Sequence, residues 1–127
     1  MNIPSKRILV VDDSATIRLY LRGLLTGWGY EMEEAVTGYE GIEKALTSSF
    51  DLILADVNMP TMNGYAMVTA LRKEIAAQSV PVIMISTESK THDATHAYAA
   101  GANLYLIKPV QPDILRRYVE FTIGDAV

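Results

Sequence analysis

The chain has 127 residues, half of them hydrophobic, which suits one domain with a buried core and excludes a disordered chain. A formal net charge of −4 argues against a nucleic-acid-binding surface, which needs clustered positive charge. The chain has no cysteine, which excludes disulfides, thiolate metal sites and cysteine nucleophiles.

Met1 to Arg7 is too short and polar for a signal peptide. No apolar run approaches the roughly 18 residues that span a bilayer, so a cytoplasmic domain without membrane attachment is expected. Ile8–Val11 reads as the first strand. Ser14 suits the cap of a helix whose apolar stripe is Ile17, Leu21, Leu24, Leu25 and Trp28, closed by Gly27 and Gly29. Tyr30–Glu34 is a weak strand expected at or near a sheet edge. Thr37-Gly38-Tyr39-Glu40 has capping-box spacing for a short helix through Leu46.

Asp51–Asp56 is the next strand, apolar inside. A loop from Val57 to Met62 leads to Asn63-Gly64 and a helix whose expected buried stripe is Met67, Val68, Leu71 and Ile75. Pro81 introduces the strand Val82–Ser86. A less hydrophobic helix runs from about Lys90 to Ala100 and stops at Gly101. Leu104–Ile107 is the fifth strand. Pro112 suits the first turn of the last helix, with Ile114, Leu115, Tyr118, Val119 and Ile123 on its inner face. Five strands alternating with five helices predict an α/β fold, a parallel sheet covered on both faces, with all 127 residues in one domain.

In such sheets ligands bind at the carboxyl ends of the strands. Asp12, Asp13, Asp56, Ser86 and Lys108 all fall at predicted strand ends. Each has an ordinary reading alone: Asp12 or Asp13 as a helix cap, Lys108 as a surface lysine, Ser86 as a loop cap. Together they describe a pocket. Three carboxylates and one ammonium sum to −2, and a divalent cation brings the total to zero. With only oxygen ligands available, Mg²⁺ or Mn²⁺ fits. A carboxylate can also act as a nucleophile towards phosphorus, and phosphoryl transfer mainly needs positioning and charge neutralisation.

The chain resembles the response-regulator receiver domains, most closely the single-domain chemotaxis receivers of the CheY type. The resemblance rests on Leu9-Val10-Val11-Asp12-Asp13-Ser14, Asp56-Val57-Asn58-Met59-Pro60, Met62-Asn63-Gly64, Ser86-Thr87-Glu88, Gly101-Ala102 and Lys108-Pro109. It implies a flavodoxin-like, doubly wound (βα)5 fold with strand order 2-1-3-4-5. It implies Asp56 as phosphoacceptor, and Mg²⁺ held by Asp12, Asp13, Asp56 and the backbone carbonyl of Asn58, with Mn²⁺ as a substitute. Lys108 would pair with Asp56 and then with the phosphoryl group, and the Lys108–Pro109 bond would be cis. Ser86 and Tyr105 would be the switch pair, and Asn58 and Glu88 would tune dephosphorylation. Asn63, Val110 and Ser86 depart from the commonest family residues, and none of the three removes a group the chemistry needs.

The function this implies is a switch, not an enzyme with turnover. A histidine kinase phosphorylates Asp56, and affinity for a separate protein changes: a flagellar motor switch protein or a phosphatase. The resemblance also admits a phosphate sink or a phosphorelay receiver. A monomer is the simplest state. A haloacid dehalogenase-type phosphohydrolase would want an aspartate where Asn58 stands. A phosphorylation-independent adaptor would not need the full acidic set, and a flavin carrier would need a hydroxyl-rich loop after the first strand. His92 and His96 lie four apart on a predicted helix, but no third metal ligand accompanies them. Met59 and Met62 read as packing residues, Arg116 and Arg117 as an exposed helix face that can contribute to a partner surface.

Overall fold

The computed structural model of the chain describes residues 5–87 and 91–127. In chain order the elements are β1 (Arg7–Val11), α1 (Ala15–Gly27), β2 (Glu31–Ala35), α2 (Gly38–Thr47) and β3 (Leu52–Asp56). They continue with α3 (Gly64–Arg72), β4 (Val82–Ser86), α4 (Thr91–Ala100), β5 (Leu104–Ile107) and α5 (Pro112–Ile123). The strands form one parallel sheet in the order β2-β1-β3-β4-β5, the flavodoxin-like arrangement.

Period-two alternation divides the strand residues between two cores. Leu9, Val11, Ile53, Ala55, Val82 and Met84 pack with Met67, Val68 and Leu71 of α3, Ala45 of α2 and Ala97 of α4. Ile8, Val10, Leu52, Leu54, Ile83 and Ile85 pack with Leu21 and Leu25 of α1 and Leu115 and Val119 of α5. Both faces are therefore covered, so all residues of β3 and β4 are buried, and their apolar runs are nearly continuous for that reason. The edge strands β2 and β5 carry the exposed residues Glu31 and Ile107.

Side-chain caps set three helix starts. Ser14 Oγ accepts from the Ile17 N–H at 3.3 Å, Thr37 Oγ1 from Glu40 at 3.1 Å, and Asn63 Oδ1 from Ala66 at 2.9 Å. Glu40 reaches back to the Val36 N–H, one residue before the position a capping box would use.

Two expected core positions are corrected. Ile75 is 87% exposed because α3 stops at Arg72. The Arg72 guanidinium donates to the carbonyls of Ala77 (3.2 Å) and Val80 (2.7 Å), which folds the following segment back in turns. Ile114 is 37% exposed and lines a surface groove with Tyr105 and Tyr118, leaving Leu115 and Val119 as the buried residues of α5.

Candidate functional site

The sheet order places the ends of β1 and β3 side by side, with β4 and β5 beyond. Asp12 follows β1 directly and Asp56 ends β3. Both continue the alternation of the face covered by α1 and α5, so their carboxylates converge. Asp12 is 3% exposed and Asp56 6%, whereas Asp13 is exposed at the rim. Single carboxylate oxygens of Asp12, Asp13 and Asp56 lie within 4.8 Å of one another. Among the described residues this is the only group of three or more potential metal ligands.

Lys108 reaches over from the end of β5. Its Nζ lies 3.1 Å from Asp56 Oδ1 and 3.2 Å from Asp12 Oδ2. The Lys108 N–H donates to the Ser86 carbonyl at 2.7 Å, and the Lys108–Pro109 bond is cis. The Asp12 loop is also held: Asp12 Oδ1 accepts from the Ser14 N–H at 2.9 Å, and Arg18 Nη1 donates to the Asp12 carbonyl at 2.7 Å.

The electrostatics are lopsided. Burial and then the Asp12 charge raise the Asp56 carboxyl above its ordinary value, against the opposing pull of Lys108 and a backbone hydrogen bond from Asn58. Burial alone would lower Lys108, but its hydrogen bond to Asp56 and the charges of Asp12 and Asp56 outweigh that and raise it. The two directions are consistent: one ammonium serves two buried carboxylates, so the cation is over-compensated and Asp56 under-compensated. One ammonium against three carboxylates leaves the pocket short of positive charge. Oxygen-only donors in a cluster of this size fit a hard divalent cation.

Ser86, fully buried at the end of β4, lies in register with Ile107, and Tyr105 with Met84. Ser86 and Tyr105 therefore belong to the same sheet face, the one covered by α3 and α4. Tyr105 is partly buried against that core. Asn58 is exposed, two residues past Asp56, and Glu88 lies outside the described residues. Met59 is buried and Met62 partly so. Among the described residues His92 and His96 belong to no three-ligand metal cluster: His92 Nε2 lies 3.3 Å from Asp93 Oδ1, and the His96 ring stacks on Tyr65. Arg116 lies over the Trp28 ring, 5.4 Å from its centroid, while remaining largely exposed.

Two residues matter to the site more than their sequence context suggested. Arg18 fixes the Asp12 carbonyl, yet in sequence it looks like any polar position on an amphipathic helix. Gly64 reads as a helix start. In the fold its N–H donates to the Val57 carbonyl at 2.9 Å, and a Cβ there would stand 2.5 Å from the Asp56 carbonyl oxygen. The Asn63-Gly64 pair was the available signal, since glycine also serves where backbone must approach backbone.

Comparison with known proteins gives a consistent picture. Residues 8–120 match the family described as response regulator receiver domain. The chemotaxis protein CheY1 of Helicobacter pylori is 38% identical over 121 residues, covering 93% of this chain and 97% of that protein. The solved chemotaxis response regulator CheY4 of Vibrio cholerae is 36% identical, with a TM-score of 0.88 over 93% of this chain and 98% of its own. A receiver domain of a sensor histidine kinase from Pseudomonas aeruginosa, solved with magnesium coordinated in its active-site cleft, is 26% identical. Its TM-score is 0.88, over 95% of this chain and 99% of its own.

Proposed function

This chain belongs to the response regulator receiver domain family, and we propose that it is a phosphorylation-controlled signalling switch with Asp56 as its phosphoacceptor. The observation that carries the proposal is Lys108 Nζ placed between Asp56 Oδ1 and Asp12 Oδ2. A buried carboxylate paired with one ammonium and clustered with two further acids is arranged to receive a phosphoryl group, not merely to stabilise the fold.

A phosphohistidine of a kinase partner is the donor. Its P–N bond breaks, a P–O bond forms to an Asp56 carboxylate oxygen, and the released imidazole nitrogen takes up a proton. Lys108 then pairs with a phosphoryl oxygen. Asp12, Asp13, Asp56 and the Asn58 backbone carbonyl would hold Mg²⁺, or Mn²⁺ in its place. Such an ion supplies neutralisation of the charge that the three carboxylates and the phosphoryl oxygens share. The magnesium-bound Pseudomonas receiver supports this choice.

The output runs through the switch pair: the Ser86 hydroxyl hydrogen-bonds the phosphoryl group, and Tyr105 turns inward on the sheet face they share. The surface of α4, β5 and α5 then changes affinity for a separate protein. A few kcal/mol of differential interaction is enough for such a shift. Asn58 and Glu88 tune the lifetime of the acyl phosphate. The chemotaxis-named relatives favour a chemotaxis kinase as donor and a flagellar motor switch protein or a phosphatase as partner. The chain works as a monomeric cytoplasmic receiver that catalyses only its own phosphorylation and dephosphorylation. Beryllofluoride, a phosphoryl mimic, tests the reading: pull-down with and without it should recover a partner only when it is present, and Asp56→Asn should abolish the difference. Equal recovery in both conditions would reject the switch.

A further inference from the structure

The switch pair couples Asp56 to the output surface through β4 and β5. A second connection leaves the same residue by a different route, through α3. Gly64, the first residue of α3, is pressed against the acceptor: its N–H donates to Val57, and there is no room for a Cβ beside the Asp56 carbonyl oxygen. The next residue, Tyr65, turns to the neighbouring helix. Its hydroxyl donates to the Asp93 carbonyl at 3.3 Å. Its ring stacks on His96, with centroids 3.8 Å apart and planes 16° from parallel. One side chain thus holds two successive turns of α4.

The apolar grip of that helix on the body of the protein is small. Ala97 is its one buried apolar residue among those whose burial is described, and alanine has only a methyl group to lock in place. At the far end, Arg72 Nε and Nη2 donate to the Gly101 carbonyl at 3.0 and 2.8 Å. α4 is therefore anchored at its C-terminal end by Arg72 and along its first two turns by Tyr65.

We infer that Tyr65 is a positioning residue that ties α4 to the backbone of the phosphoacceptor, so that α4 reports the state of Asp56 through α3 as well as through the switch pair. The tie itself needs no phosphoryl group; its use as a relay rests on the phosphorylation reading. A shift of the Asp56–Val57 backbone must carry Gly64, since the contact is backbone to backbone and cannot be absorbed by a rotamer. Tyr65 then moves with the first turn of α3 and takes α4 with it.

Two measurements on the intact chain decide the matter. The first is amide hydrogen exchange without beryllofluoride. Tyr65→Leu should lower the protection of α4 amides by about tenfold, the equivalent of losing one hydrogen bond and one ring contact, with α1 and α5 unchanged. Tyr65→Phe keeps the stack and should lose less. His96→Leu, on the exposed side of the seam, serves should Tyr65→Leu not fold, and should also lower α4 protection. The second is the change in α4 amide resonances on adding magnesium and beryllofluoride. That change should be at least halved in the variants, with Asp56 still saturated. Unchanged α4 protection and an unchanged α4 response would overturn the inference. Should α4 of the unsubstituted protein ignore beryllofluoride bound at Asp56, the relay falls with the switch, while the first measurement alone decides the tie.

Discussion

Gly64 and Asp56 are in backbone contact across the start of α3: an added Cβ at position 64 would lie 2.5 Å from the Asp56 carbonyl oxygen and 3.1 Å from the Val57 Cα. Backbone atoms cannot yield as a flexible side chain does. Gly64→Ala should therefore destabilise the fold by about 1–3 kcal/mol through overpacking, read as a lower urea midpoint. Gly38→Ala is the control. Its close neighbours are atoms of the Met62 side chain, which can move, so its cost should be smaller.

Gly23 presents the opposite case. It lies mid-helix in α1, is exposed, and has nothing within 4 Å of where a Cβ would sit. Gly23→Ala should stabilise the protein by about 0.5–1 kcal/mol, because it removes backbone freedom from the unfolded chain without a clash. Thermal unfolding checks this, with a rise of several degrees expected.

Asp56 sets a pH dependence. Its folded pKa is raised, so the folded state holds this proton more tightly than the unfolded chain does. Stability is then highest below the ordinary value of 3.8 and declines as pH rises from there through the folded value. In buffer without divalent cations, Asp56→Asn should therefore be more stable than the native chain at pH 7, and the advantage should vanish near pH 3. Saturating Mg²⁺ should reverse the order, since binding to the folded state at a hundred times Kd adds about 2.7 kcal/mol. Melting temperatures across pH, with EDTA or with magnesium, separate the two effects.

Arg72 is a partly buried cation, its pKa lowered by desolvation, and its described hydrogen-bond partners are oxygens of Gly101, Ala77, Gln78, Val80 and Asn103. A lysine has a single ammonium and cannot serve these divergent acceptors together. Arg72→Lys should cost about 2–4 kcal/mol, as several carbonyls lose their donors. A urea midpoint close to that of the native chain would contradict the clamp.

The strands and the site were legible for a shared reason. Ile8–Val11, Val82–Ser86 and Leu104–Ile107 are apolar runs, and their ends are marked by charge or hydroxyl. Parallel topology brings such ends together whatever the sequence between them. Ile75 misled because periodicity cannot see that Arg72 recruits the carbonyls of the following turn. Tyr65 and His96 were likewise invisible as a pair: one follows a helix start on α3, the other sits on a weakly amphipathic helix, and only the packing of α3 against α4 makes them neighbours. Lys108 was expected beside Asp56, but its second bond, to Asp12, depends on the distance between two strand ends that the sequence does not encode locally.

Phosphorylation of Asp56 can be tested without a cognate kinase, with a small acyl phosphate donor. The protein is incubated with acetyl phosphate and magnesium, and the modified residue is located by mass spectrometry after borohydride trapping of the acyl phosphate. One modified site is expected, at Asp56, dependent on magnesium and absent in Asp56→Asn. Modification that persists elsewhere in Asp56→Asn at the native level, or no modification of the native chain, would contradict it.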